Sequence, residues 1–398
     1  MALVSSAGFL GQAQVAPDSA GAPGTQAALS ETTGWTLTPK LNTPDASVFV
    51  AEGMGTVMAT RDPEPSINGI YDFGDGGLTN IIQSVFPSII GSPFVPQTRV
   101  WPLLLESSTA STLASAYVSE LTFDTSDPNA LTKFTAKFGF DGTPTTPYTT
   151  ATTSSVIAPT TSLNPGVAYK ASVSINLVGV STAFTTTTLT QIGATNSYQI
   201  PTGKRALDVT VALVLGGGAT AGNSYTVDAF FGVVTPTTPY TAAPTVVSGS
   251  WWPMTKLIGV TKCTTTMTFN LDASVTDINQ AGYVKRAPTT RDVKMSLMVV
   301  GLATSIPQQS GGSNIGAVTW RALWENRQLI LVEHDPDGQQ QRVFRGWFYI
   351  DQIPESLTVD KVVQQSISLK GANQTLRGAV GNSGSGKLVY AGFSCGAV

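Results

Sequence analysis

From Trp35 onward, apolar and polar residues alternate with a period of two over short runs, the pattern of strands with one buried face. Residues 47–51 (Ser-Val-Phe-Val-Ala), 66–71 (Ser-Ile-Asn-Gly-Ile-Tyr) and 116–123 (Ala-Tyr-Val-Ser-Glu-Leu-Thr-Phe) are such runs. In residues 132–140, Phe134, Ala136 and Phe138 share one face, and burying it leaves the other for solvent or a second sheet. One stretch departs from alternation. Leu78, Ile81, Ile82 and Val85 recur at helical spacing, so a helix is predicted over residues 78–86, bounded by Gly77 and Pro87. Residues 169–177, 206–215 and 225–234 predict further strands, separated by turn clusters such as residues 216–223 (Gly-Gly-Gly-Ala-Thr-Ala-Gly-Asn). The predicted class is all-β with minor α.

Internal similarity organises these runs. Thr36-Leu37-Thr38 opens a stretch that closes with Thr60-Arg61-Asp62, and Thr266-Met267-Thr268 opens one of the same length that closes with Thr290-Arg291-Asp292. Each Thr-Arg-Asp leads into a candidate strand, at residues 67–71 and 293–300. Residues 116–121 match residues 348–353, and residues 133–139 match residues 366–371. Four anchors in one order, about 230 residues apart, predict two copies of one β-domain, at residues 35–142 and 242–376. The string Thr-Pro-Thr-Thr-Pro-Tyr-Thr stands at both 143–149 and 235–241. It borders a predicted immunoglobulin-like β-sandwich inserted over residues 143–241. The alternative is a long excursion of the first domain between low-complexity linkers. Residues 1–34 are mainly Ala, Gly, Ser, Gln and Pro and offer little apolar surface against their ordering entropy. They are expected to be a flexible arm, either disordered or ordered on a neighbouring subunit. Residues 377–398 are expected to be a flexible C-terminal tail.

Composition narrows the function. Charged residues make up 12 % of the chain, about half the usual share of roughly 25 %, so the surface is expected to be covered by Thr, Ser, Gln, Asn and protein contacts. A net charge of −3 argues against a nucleic-acid groove, which needs a basic stripe. No run of about eighteen apolar residues is present, so no transmembrane helix is expected. The first residues lack a basic segment and an apolar core, so no signal peptide is expected. Cys263 and Cys395 set no compartment, and whether they pair stays open.

The search for chemistry excludes more than it finds. His334 is the only histidine, which rules out a two-histidine metal site within one chain. It precedes Asp335-Pro336-Asp337-Gly338, a turn signature between strands. That run lacks the third acid and distal Glu of a calcium loop. Residues 381–387 nearly spell a phosphate loop, but Leu388 stands where a hydroxyl is needed. Gly392-Phe393-Ser394-Cys395-Gly396 matches a nucleophile elbow, yet no histidine follows it. Asn373-Gln374-Thr375 matches a glycosylation acceptor, which carries weight only in a secreted chain. Glu355 and Asp360 are carboxylates that spacing alone does not set across a cleft. No catalytic, cofactor-binding or metal-binding residue is therefore assigned, no cofactor is expected, and an enzyme is not.

Residues 348–371 resemble the closing segment of the major tail tube proteins of long-tailed, siphovirus-type bacteriophages, in which a strand and a polar turn lead to an alternating strand ending in Lys-Gly. Residues 115–139, preceded by Trp101-Pro-Leu-Leu-Leu-Glu106, resemble the corresponding part of the two-domain members. The resemblance covers the two copies and implies two tandem tube domains, each a β-sandwich or partial barrel with a short helix at its side. It implies a virion protein that partners itself in stacked rings, three chains to a pseudo-hexamer. Further implied partners are the tape measure, tail terminator and distal tail proteins, with DNA passing the lumen without specific binding and no membrane. Residues 87–100 and 304–317 are the expected stacking loops, and the Arg and Asp of each Thr-Arg-Asp are candidates for ring-bridging ion pairs. A capsid decoration or other shell protein shares the composition, and an immunoglobulin-like surface adhesin suits the middle segment. A glycan-degrading β-enzyme would need paired acids across a cleft.

Overall fold

A computed structural model describes residues 12–29, 32–38, 41–42, 60–72, 74–86, 97–105, 111–125, 131–142, 172–177, 181–185, 187–193, 195–201, 206–208, 211, 213–217, 225–276, 284–300, 320–336, 343–354, 364–372, 378–380, 386–388 and 393–396. The chain is all-β, with two short helices among these residues. No helix there is long and apolar enough to cross a membrane.

The first sheet comprises β1 (Gln12–Ser19), β2 (Ala27–Ala28), β3 (Thr32–Thr38), β4 (Glu64–Ile70), β5 (Val100–Leu105), β6 (Ser111–Leu113), β7 (Ala116–Thr125) and β8 (Lys133–Phe140). Its main strands run antiparallel in the order β1-β5-β7-β8-β4-β3. Phe134, Ala136 and Phe138 are buried together while Lys133 and Lys137 of the same strand are exposed, as alternation requires. Helix α1 (Gly76–Val85) starts where the Asp75 carboxylate accepts the Leu78 N–H at 2.9 Å, satisfying an end donor. Its Leu78, Ile81, Ile82 and Val85 are buried against the sheet core.

The N-terminal arm needs correction. Residues 12–17 form a six-pair ladder with β5, from Gln12 opposite Leu105 to Pro17 opposite Val100, and Ala13, Val15 and Ala16 are fully buried. Low apolar content misled the reading because alanine suffices where two backbones meet closely. The ladder also offsets part of the ordering entropy.

The second sheet repeats the first. It comprises β9 (Ser172–Leu177), β10 (Thr255–Lys256), β11 (Val260–Thr276), β12 (Val284–Val300), β13 (Ile330–Asp335), β14 (Val343–Gln352) and β15 (Gln364–Gly371), with α2 (Trp320–Glu325) between β12 and β13. Its antiparallel order is β9-β13-β14-β15-β12-β11. The Gln12–Leu105 ladder recurs as Ser172 opposite Asp335 through Leu177 opposite Ile330. The bond from Leu29 N to Ala13 O at 3.0 Å recurs from Leu257 N to Val173 O at 2.8 Å. Bulges recur too: Ser119 in β7 has its counterpart in Asp351 of β14, and Thr33 in β3 has its counterpart in Thr261 of β11. By these bulges Trp35 corresponds to Cys263 and Leu37 to Thr265. The Thr36-Leu-Thr match to Thr266-Met-Thr is therefore two residues out of register, with the buried face preserved.

This equivalence moves a boundary. The second copy starts at β9, inside the segment expected to be the insert, and the insert interrupts that copy between β9 and β10. At the same place the first copy makes a tight hairpin, with Asp18 opposite Pro23 and positive φ at Ala20 and Gly21. Residues 182–251 form two small sheets of their own, one ordered through Pro244–Trp251 and the other through Val233–Pro236. Their side chains share a core with Leu331, Val343 and Trp347 of the second sheet, and Trp252 meets Trp347 edge-to-face at 4.7 Å. In place of one strand over 206–215, Leu207 makes an isolated bridge to Trp251 and a strand spans Val214–Gly217. In place of one strand over 225–234 there are two, Tyr225–Asp228 and Val233–Pro236, joined by a turn. The C-terminal tail also needs correction, since Phe393–Gly396 pairs with β14 from Gly346 to Val343. Residues 47–51, 87–96 and 301–319 lie outside the described residues.

Candidate assembly interface

The two sheets join edge to edge. β11 lies antiparallel along the second half of β7, from Glu120 opposite Thr268 to Thr125 opposite Cys263. The Thr122 and Thr266 hydroxyls are 3.3 Å apart, and Thr264 donates to Asp124 at 2.7 Å. Leu121 and Met267 are fully buried at this junction, and the apolar faces of both copies form one core, within which the Phe123 and Phe344 rings lie 4.6 Å apart. At the rim, Arg286 of the second copy pairs with Asp62, and its N–H donates to Asp141 at 3.1 Å. Asp141 also pairs with Arg99 at 3.1 Å. The acid of the first Thr-Arg-Asp thus bridges the copies within one chain.

Among the described residues each copy has one matching edge without a strand partner. β3, the equivalent of β11, has β4 as its one strand neighbour among the described residues. Its Trp35 and Leu37 are half-buried, whereas their counterparts Cys263 and Thr265 are 3 % and 0 % exposed. β14, the equivalent of β7, pairs with β13 only as far as Phe348 on that side. β7 runs on to Thr125, held by β11, while β14 stops at Gln352. Beside that end, Trp324 is 49 % exposed and lines a groove with Arg321, Ile353 and Pro354. An incompletely covered edge offers its N–H and C=O groups to another strand.

His334 lies in β13, not in a turn, and is fully buried. Pairing with β9 and β14 holds residues 330–335 in the strand. Its Nδ1 lies 2.9 Å from the Thr265 hydroxyl, and burial pulls its pKa down to about 4. Next to it, Glu333 and Arg345 form a buried ion pair at 2.6 Å. Arg345 also donates to the Phe230 carbonyl and stands 5.2 Å over the Phe231 ring. Asp228 accepts the Phe230 N–H at 3.0 Å, and burial pushes its carboxyl up to about 6. Arg345, held by Glu333, fastens the insert to the second copy through Phe230 and Phe231. Among the described residues no group of three or more His, Cys, Asp or Glu could hold a metal.

The remaining sequence candidates do not converge. Ser394 sits in a strand opposite Arg345, which is not the strand-to-helix turn of an elbow. Gly386–Leu388 forms a hairpin strand with Gly378–Val380, and residues 381–385 lie outside the described residues, as do Glu355, Asp360, Asn373 and residues 304–317. Cys263 is free and buried, and burial raises its thiol to about 12. The sequence reading missed the Glu333–Arg345 pair, although an arginine inside the otherwise apolar residues 343–348 was a visible signal. No protein-family model and no curated protein matches the chain.

Proposed function

We propose that this protein is a structural subunit of a long-tailed bacteriophage tail tube, assembling into stacked pseudo-hexameric rings that form the conduit for DNA ejection. One observation carries the reading: a single chain holds two six-stranded sheets of the same order, already joined edge to edge. A chain that contains one such junction needs only the same junction between chains to close a ring, and head-to-tail contacts that close give rings while stacking gives open polymers. Closure also removes sheet edges that twelve per cent charge does little to blunt.

In this reading the protein acts in the virion and is not an enzyme. Its partners are its own copies and the neighbouring tail proteins, namely the tape measure, the terminator and the distal tail protein. DNA passes the lumen without specific binding. The insert hangs from the second copy, and three chains make one ring. Negative-stain microscopy at rising protein concentration, with mass measurement of isolated discs, tests it. Rings of three chains that stack into tubes are the expected result. A ring of six chains overturns the stoichiometry, and closed shells or a persistent monomer overturn the reading.

A further inference from the structure

We draw no further inference here: the strongest candidate, the groove that the half-exposed Trp324 of α2 lines with Arg321, Ile353 and Pro354 beside the end of β14, is an incompletely covered face, and nothing in the structure shows what covers it.

Discussion

The two copies share six strands, their order and their bulges, and differ in what covers one face. In the first copy Leu103 stands opposite Leu113 across β5 and β6. At the equivalent place in the second copy Glu333 stands opposite Arg345 across β13 and β14. The difference follows the insert. Where the first copy makes a tight turn at Ala20–Gly21, the second sends out residues 182–251 and packs them back over β13 and β14. A sheet face that receives a second body needs an orienting contact, and Arg345 supplies one by reaching the Phe230 carbonyl. The buried pair therefore specifies a docking geometry more than it adds stability, since such pairs seldom outperform apolar residues of similar volume.

Breaking that pair is the largest expected effect. Arg345→Ala leaves Glu333 buried and alone, and should cost about 3–5 kcal/mol in chemical denaturation. Replacing both by leucine, as the first copy has them, should cost far less. The double variant should instead loosen the insert, detectable as faster proteolysis within residues 182–251. A double variant as unstable as Arg345→Ala would mean that the pair supplies net stability and that the copies differ in energetics rather than in docking.

The next effect compares twin positions on the receiving strands. Leu121 is fully buried where β11 covers β7, so Leu121→Ala should cost about 2–5 kcal/mol. Ile353, its twin, is only partly buried, and Ile353→Ala should cost the isolated subunit less than about 1 kcal/mol. Its effect should appear in assembly, as a raised concentration for ring formation in light scattering. Equal losses of subunit stability at both positions would show that the second edge is already covered within the chain.

The strands were legible where alternation was strong. Phe134, Ala136 and Phe138 reveal β8, and Leu78, Ile81, Ile82 and Val85 reveal α1, because burial of one face writes a period into the sequence. The duplication was legible from short anchors, but its register was not, since a shift of two residues along a strand keeps every side chain on the same face. β1 was illegible because two alanines and a valine fill a close-packed edge without an apolar run. β9 was legible as a strand within residues 169–177, but its place in the second sheet was hidden by the insert that separates it from the other strands. The Glu333–Arg345 contact was illegible for a different reason: each charge breaks the apolar pattern of its own strand, and only pairing of β13 with β14 makes the two satisfy one another.

The smallest expected effect is pH dependence, because two buried groups act in opposite senses: Asp228 in the insert, and His334, whose ring meets the Thr265 hydroxyl. Asp228 has its folded pKa raised to about 6, above the ordinary value of about 3.9. The fold therefore binds its proton more tightly, and that stabilisation, present at low pH, is lost as pH rises from about 4 through about 6. His334 has its folded pKa lowered to about 4, below the ordinary value of about 6.5. Its stabilisation is fully present above about 6.5 and is lost as pH falls towards about 4. Each shift is about two units, at most about 3 kcal/mol, and in the shared window they largely cancel. Asp228→Asn should unmask the histidine, so that the urea midpoint falls between pH 7 and pH 4.5 more steeply than in the parent chain. His334→Gln should unmask the carboxylate and reverse the sign of that difference. Parallel pH profiles in all three proteins would mean that water reaches both side chains.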